Sequence, residues 1–395
     1  MTTAEEKTPD SPVEQKIHLL LRALHTYLPY SLPLYRRLQF HLSHPNPPFA
    51  QVFDAFTPLS PLSKERLSPE QWLSLASKQE SPAGQTPWIC SHIDLSAAGQ
   101  TQVWVFANWE LPETQTQTAT AQDLEARRQL LQTLFEKIYD RDVSSIPSTG
   151  PKGWLKVKKL GREDIPFSRT RVLFGALNLC VRSLIPQGSG ERLDDGTLHY
   201  LFLGAEVITR VDEPYKKYLF PTTRSSHRPL DEQNGTESSV CLPPDYRFGP
   251  MPYQYLQMVL DRTSIPRGLD TMASFFSIGL FYNQDPSPIG WGFLGKDASL
   301  TSLHTEPEHR GKGLAVLLSK ELFRQQNEHF RTLGDEETAQ TEVLWAHADV
   351  SENNMASRKV MEKIGGKVEW QTCWIEVELE SLVGEHGMWR TLGKE

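Results

Sequence analysis

Two glycines interleaved with cations, where an apolar strand passes into an apolar helix, are the residues of this chain best suited to hold an anion. The segment runs Leu300-Thr-Ser-Leu-His-Thr-Glu-Pro-Glu-His-Arg-Gly-Lys-Gly-Leu-Ala-Val-Leu-Leu318. Gly311 and Gly313 let backbone N–H groups approach a bulky anion, and the positive end of the following helix, roughly half an elementary charge, favours a phosphate there. Arg310 and Lys312 add side-chain cations, while Leu314, Leu317, Leu318 and Leu322 give the helix an apolar face to set against a sheet. Spacing separates this turn from other phosphate loops. Lys312 is followed by Gly313 where a Walker A loop needs Ser or Thr, and Val316 stands where a dinucleotide fingerprint needs its third glycine.

Such a turn works only if strands and helices hold it. Tyr253 to Arg262 has helical periodicity, and Ser274 to Tyr282, Ile289 to Leu294 and Ser299 to Thr305 alternate as an antiparallel meander. A helix from Gly311 to about Phe330, a strand from Glu342 to Asp349, a helix from Asn354 to Ile364 and a strand from Thr372 to Leu379 follow. The centre of this half is a strand-helix-strand crossover, which places it in the α/β class. Upstream, Ile17, Leu20, Leu21 and Leu24 announce a helix after a solvated tail over 1–12, and the prolines between Tyr30 and Pro69 limit helices there to short ones. Trp88 to Ile93 and Gln102 to Trp109 predict a hairpin, and Asp123 to Tyr139 an amphipathic helix. Val172 to Leu184 fits a buried helix or a strand, and His199 to Thr209 a strand. The polar run from Thr223 to Val240 is the best linker. The expected units are 13–145, a middle α/β segment over 146–222, a linker over 223–241, and 242–395.

The string Arg310-Gly-Lys-Gly-Leu-Ala315 spells R-x-x-G-x-A, and Asn354-Met-Ala-Ser-Arg-Lys-Val-Met-Glu-Lys-Ile-Gly-Gly366 follows a strand at the matching distance. In both, the chain resembles the GNAT superfamily of acyl-CoA-dependent N-acyltransferases. Pro288-Ile-Gly-Trp-Gly292, Ala346-His-Ala-Asp349 and the stretch from Ser31 to Phe49 are similar to the glycine N-acyltransferase group. The resemblance implies a mixed α/β sheet (α+β) with a GNAT-like C-terminal domain, and makes the N-terminal α/β region a candidate degenerate copy of the same fold. It implies acetyl-CoA or another acyl-CoA as cosubstrate and no metal. The implied contacts are Leu303, His304 and Thr305 for the acyl-pantetheine arm, Arg310, Gly311, Lys312, Gly313, Leu314 and Ala315 for the pyrophosphate, and Asn354 and Ser357 on the later helix. The expected acceptor is the amine of a small molecule or amino acid. A protein lysine or N-terminal amine, and a catalytically weak coenzyme A-binding protein, are the alternatives.

Acyl transfer needs a neutral amine, a stabilised thioester oxygen and a proton for the departing thiolate. Leu300 and Leu303 are three apart on one strand, which suits a β-bulge that turns a backbone N–H towards the thioester. Relatives place Glu or His where this chain has Ser299 and Thr301, so Asp297, acting through a water ordered by those hydroxyls, and His347 are the candidate bases. A turn role for Asp297 and a core role for His347 stand beside that reading. The position of the usual proton-donating Tyr is Met361, leaving Ser357, Tyr282, water or unassisted thiolate departure. Asn354 also fits a helix cap.

At 395 residues the chain exceeds one core, and a net charge of -8 with 38% hydrophobic residues describes a folded protein lacking the basic footprint of a nucleic-acid or anionic-membrane binder. Four scattered cysteines, a polar N-terminus and the lack of an apolar run near 20 residues predict a reducing compartment, cytoplasmic or nuclear, and no membrane span. The sequon at Asn234 is set aside as a chance match, and nothing in the sequence indicates the oligomeric state.

Overall fold

A computed structural model describes residues 12–44, 50–56, 68–77, 86–96, 100–115, 119–141, 170–185, 190–192, 198–200, 208–211, 214–223, 242–263, 265, 267–333, 343–384 and 389. In chain order the elements are α1 (Pro12–His25), α2 (Leu32–Ser43), β1 (Ala50–Phe56), α3 (Pro69–Ala76), β2 (Trp88–Asp94), β3 (Val103–Ala107), α4 (Pro112–Gln115), α5 (Ala121–Tyr139), β4 (Arg171–Asn178) and α6 (Leu179–Arg182). Then come β5 (Gly190–Arg192), β6 (Leu198–Tyr200), β7 (Ile208–Val211), β8 (Tyr215–Thr223), β9 (Tyr246–Gly249), α7 (Leu256–Arg262), α8 (Leu269–Ala273), β10 (Phe276–Tyr282), β11 (Pro288–Leu294) and β12 (Leu300–Thr305). The chain ends with α9 (Leu314–Leu333), β13 (Val343–Ser351), α10 (Met355–Lys363), β14 (Lys367–Glu378) and α11 (Leu379–Val383).

The main sheet has the order β1-β2-β3-β4-β14-β8-β13, with β7 also against β14; a second sheet has the order β12-β11-β10-β9. They meet where Ser299 and His347 form a parallel bridge between the start of β12 and β13. Two halves with one plan emerge from these pairings. In the first, the meander β1-β2-β3 is followed by the long helix α5 and by β4, which lies parallel to β3 through Val103 and Phe174. In the second, the meander β10-β11-β12 is followed by the long helix α9 and by β13, parallel through the Ser299–His347 bridge. Each parallel strand leads through a short helix, α6 or α10, towards a last strand, β8 or β14, and these last strands trade places. β14 pairs with β4 and β8, while β8 pairs with β14 and β13. The N-terminal half is therefore a second copy of the layout, as the resemblance implied, and each half completes its sheet with a strand of the other.

Four clusters of buried side chains follow this plan. Alternation along β2 and β3 sends Ile89, Ile93 and Val103 towards α5 and α11, and Trp88, Cys90, Trp104 and Phe106 towards α1, α2 and α3. In the second half, Leu318, Leu322 and Phe323 of α9 pack with Ala346, Ala348 and Val350 of β13 and with Tyr218 and Phe220 of β8. On the other face Trp291 and Phe293 meet Leu256 and Val259 of α7 and Met272 of α8. Burying an aliphatic or aromatic side chain contributes about 1.5–3 kcal/mol, so Tyr218 and Phe220 add to the ladders with β13 and β14 in holding the exchanged strand β8.

Several expectations change in detail. The 172–184 segment is a strand and then a short helix, because Asn178 caps α6 by accepting from the Cys180 amide at 3.0 Å. Strand β14 starts at Lys367, five residues before the expected Thr372, since it pairs with β8 before it reaches β4. The expected strand from His199 to Thr209 overlaps β6 and β7, with 201–207 outside the described residues. The tail over 1–11 and the linker over 224–241 also lie outside them.

Candidate active site

Strands β12 and β13 touch at Ser299 and His347 and carry no further bridge towards their C-terminal ends, so a gap opens between them. The expected irregularity in β12 is present. Trp291 pairs with His304 and Phe293 with Thr301, so Ser302 and Leu303 together oppose Gly292, and Ser302 takes a φ of +50°. This β-bulge sends Leu303 into the α9 core and leaves Thr301 and Ser302 on the other face, where Arg267 donates to them at 2.9 and 3.3 Å. His304 stacks on Trp291 at 4.7 Å with its Nε2 3.6 Å from Glu306; burial lowers its pKa, and Glu306 opposes the shift. Thr305 is buried at the strand end, where its carbonyl accepts from Arg310 Nε at 2.8 Å.

That last bond anchors the glycine turn to the strand. Gly311 and Gly313 take φ values of +78° and +75°, which L side chains resist, and no atom lies within 4 Å of where their Cβ atoms would stand. Among the described residues, nothing accepts a hydrogen bond from the amides of Gly311, Lys312, Gly313, Leu314 or Ala315. Five free donors, space beside two glycines and the start of a 20-residue helix fit a pyrophosphate. Lys312 Nζ donates to Tyr246 Oη at 2.9 Å, bracing one side of the turn against β9. Asn354 caps α10, accepting from the Ser357 amide at 3.1 Å, and both face outward near the turn's helix.

Among the described residues the N-terminal half shows no matching glycine turn. Between β3 and α5 the chain reads Asn108 to Thr120 without a glycine, Trp109 and Leu111 are buried, and α6 packs on the turn.

The candidate bases lie at the apex of the β12–β13 gap. Asp297 sits in the turn before β12, where it accepts from Ser299 Oγ at 2.6 Å and from the Ser299 amide at 3.2 Å. These bonds, with His347 and Lys217 nearby, outweigh burial and lower its pKa. His347 is fully enclosed: Nε2 donates to the Asp297 carbonyl at 2.7 Å, and Nδ1 faces Lys217 Nζ at 3.2 Å. Burial and then the Lys217 ammonium push its pKa down to about 4, so the ring is neutral above that. Lys217 comes from the exchanged strand β8 and pairs with Asp349 at 2.5 Å; Thr372 of β14 donates to the other Asp349 oxygen at 2.7 Å. Asp297, His347 and Asp349 bring ligand atoms within 4.8 Å of one another, but the Lys217 ammonium stands among them and meets that donor set with the chain's own cation. Met361 is buried among Leu318, Leu322 and Ala348.

The structure adds cations that the sequence reading did not single out: Lys217, Arg267, Arg37 and Lys296. Their local signals were faint. Lys217 follows another lysine at the start of β8 and Arg37 follows another arginine on the amphipathic α2, where charged residues ordinarily mark the solvated face.

Among the described residues no helix is long and apolar enough to cross a membrane. No curated protein matches the chain. Among solved structures it is similar to a Drosophila melanogaster protein, with 13% identity, 94% of this chain and 97% of that one covered, and a TM-score of 0.49. It is also similar to a tandem GNAT protein from the clavulanic acid biosynthesis pathway (14% identity, 92% and 94% covered, TM-score 0.37) and to a GCN5-related N-acetyltransferase from Sphaerobacter thermophilus (11%, 79% and 86%, 0.37). The FR47-like protein family matches residues 277–375. The family described as the acyl-CoA N-acyltransferase verG N-terminal domain matches residues 6–218, more than half of the sequence, so this chain belongs to that family of GNAT-type acyl-CoA N-acyltransferases.

Proposed function

We propose that the protein transfers an acetyl or other acyl group from acyl-CoA to the primary amine of a small molecule or amino acid. One observation carries the reading: five unpartnered amides converge at an open glycine turn on the helix that follows the bulged strand of a splayed, parallel pair. Similarity of Pro288–Gly292 and of the 31–49 stretch to glycine N-acyltransferases supports a small acceptor. So does the buried Arg37 of α2, whose charge acts on Asp297. Free thiols at Cys90, Cys180 and Cys373 support a cytoplasmic or nuclear setting.

When bound, acyl-CoA supplies an acyl carbon whose C–S bond breaks as the acceptor nitrogen forms its bond. In this reading the amides of 311–315, with Arg310 and Lys312, hold the pyrophosphate, Asn354 and Ser357 flank it, and the backbone of Leu303, His304 and Thr305 holds the acyl arm. Ser299, half-buried at the apex, takes one proton from the incoming ammonium while its own passes to Asp297 along their 2.6 Å bond, and the second proton, shed by the nitrogen once it is bonded to the acyl carbon, goes to the departing thiolate or to solvent. His347 keeps the Asp297 backbone in place. Met361 has no proton to give, so the thiol, with a pKa of about 8.5, departs as the thiolate or is protonated by solvent. The enclosure of Asp297 and His347 favours one other reading, a coenzyme A-binding protein with weak turnover.

Calorimetric titration with acetyl-CoA, and thiol release with and without added amines, test both. Gly313→Glu places a carboxylate in the turn and, at ~2–3 kcal/mol of lost charge-assisted hydrogen bonding, raises Kd about 30- to 150-fold. Binding that survives in the folded variant removes the turn from the cosubstrate site. Binding without amine-dependent thiol release establishes the weak-turnover reading.

A further inference from the structure

Helix α2 buries a guanidinium whose hydrogen-bonding capacity is largely unused. Arg37 projects from α2 into the junction of the two halves, 1% exposed. Among the described residues its Nε and Nη1 have no hydrogen-bond partner, and its Nη2 is 3.9 Å from Asp94, beyond hydrogen-bond distance. Asp94 already accepts from Ser96 Oγ at 2.5 Å and from its amide at 3.2 Å. The Arg37 plane lies over Trp104, its Cζ 5.0 Å from the ring centre, which orients the fork without satisfying a single N–H.

The surroundings are short of negative charge. Lys296, in the turn just before Asp297, is largely buried and has no ion pair among the described residues. Arg267 is spent on the hydroxyls of Thr301 and Ser302. Against these three cations stand Asp94, bound to Ser96, and Asp297, bound to Ser299. The charge of Arg37 acts on both carboxylates, Asp94 foremost, which couples the β2–β3 hairpin of one half electrostatically to the turn at Asp297 in the other. A buried guanidinium with two unsatisfied nitrogens and one long ion pair is costly to keep, and an entering anion would offset that cost. The histidines beside it supply none, since His92 contacts His41 at 3.1 Å and burial keeps it neutral.

We propose that the acyl acceptor is an amine that also carries a carboxylate, and that Arg37, with Lys296 beside it, receives that carboxylate while the amine points towards Ser299. A guanidinium fork binds a planar carboxylate through two parallel N–H bonds, which fixes direction as well as affinity. The proposal rests on the acyl-transfer reading for its chemistry, but the anion pocket is testable without turnover.

The test pairs amino acids with their primary amides, alanine with alaninamide and phenylalanine with phenylalaninamide, as acceptors and as ligands in thermal unfolding. The variants are Arg37→Met, which keeps the stem, Arg37→Gln and Lys296→Met, each verified by unchanged acetyl-CoA affinity. The wild type prefers at least one acid over its amide about tenfold or more in kcat/KM. Arg37→Met removes that preference, lowering kcat/KM for the acid more than for the amide, mainly through KM. Lys296→Met gives a smaller loss in the same direction. Acid and amide used equally by the wild type, or a preference intact in both Arg37 variants, overturns the proposal. If no amine releases thiol but acids alone raise the wild-type Tm, and Arg37→Met abolishes the rise, the pocket stands and the acyl-transfer reading fails. If neither acids nor amides release thiol or shift Tm, the pocket is rejected.

Discussion

Acidification isolates His347, and its effect can be worked from the site. The ring donates from Nε2 to the Asp297 carbonyl and accepts at Nδ1 from Lys217, whose charge is shared with Asp349. A second proton would have to enter at Nδ1, opposite an ammonium and away from water, which is why the pKa falls from the ordinary value near 6.5 to about 4. The unfolded chain binds that proton below pH ~6.5 and the folded chain refuses it until about 4, so stability falls with falling pH across this window. The full effect approaches ~3 kcal/mol, at about 1.4 kcal/mol per pH unit. Two other buried groups titrate differently between folded and unfolded chains here. His92 adds a slope of the same sign, while Glu110, raised by burial to about 8, gains stability as pH drops through the same range and cancels one histidine. The decisive quantity is therefore the difference between the wild type and His347→Gln, which can keep a donor towards Asp297. Urea unfolding from pH 7 to 4.5 is expected to show the variant's deficit shrinking by ~1.4 kcal/mol per pH unit at constant m, and ring 15N shifts to show His347 neutral at pH 5. Parallel stability curves, or a His347 ring that titrates near pH 6.5, would mean that the ring is not held between Lys217 and Asp297.

Lys217→Met leaves the buried Asp349 with Thr372 alone and is expected to cost ~3–5 kcal/mol in urea unfolding, whereas Lys217→Met with Asp349→Leu recovers more than half of it. A single-variant loss under ~1 kcal/mol would mean that the pair is open to water. Met361→Tyr, the residue relatives use as an acid, is expected to overpack the α9 core, cost ~1–3 kcal/mol and leave kcat unchanged; a raised kcat in steady-state assays would place that position within reach of the thiolate.

The second half of the chain was legible because its chemistry and its periodicity coincide. The alternation of β10 to β12, the three-residue gap between Leu300 and Leu303 and the leucines of α9 each point to an element, and the bulge sits where that gap placed it. The glycines closing the later motif also have local causes: Gly365 takes a φ of +90° at the end of α10, and a Cβ on Gly366 would overlap the Phe220 ring. That second cause could not be foreseen, because Phe220 belongs to β8, well over a hundred residues away. Periodicity reports which face of a strand is buried but not which strand lies beside it. The same limit hid Lys217, whose type suggests solvent and whose partners lie on β13 and β14. Arg37 was masked differently: two arginines in a row on an amphipathic helix describe a wet face, whereas α2 is covered on both sides.

The strand exchange makes the first half a structural part of the second half's sheet. Remove the first half and β13 loses its β8 neighbour, Asp349 loses Lys217, and the Phe220 ring no longer closes the space left by Gly366. The apex formed by Asp297 and His347 depends on those contacts, so the geometry of the gap in the second half is set by residues of the first. The dependence runs the other way as well, since β4 finds its neighbour in β14, and Trp374 of that strand donates to Thr101 at 3.1 Å beside the first parallel pair. Neither copy is a finished sheet alone. The first half's contribution is concentrated on β8, whose buried Lys217 meets His347 at 3.2 Å and Asp349 at 2.5 Å, so the apex of the second half's gap is built partly from the first half's charge.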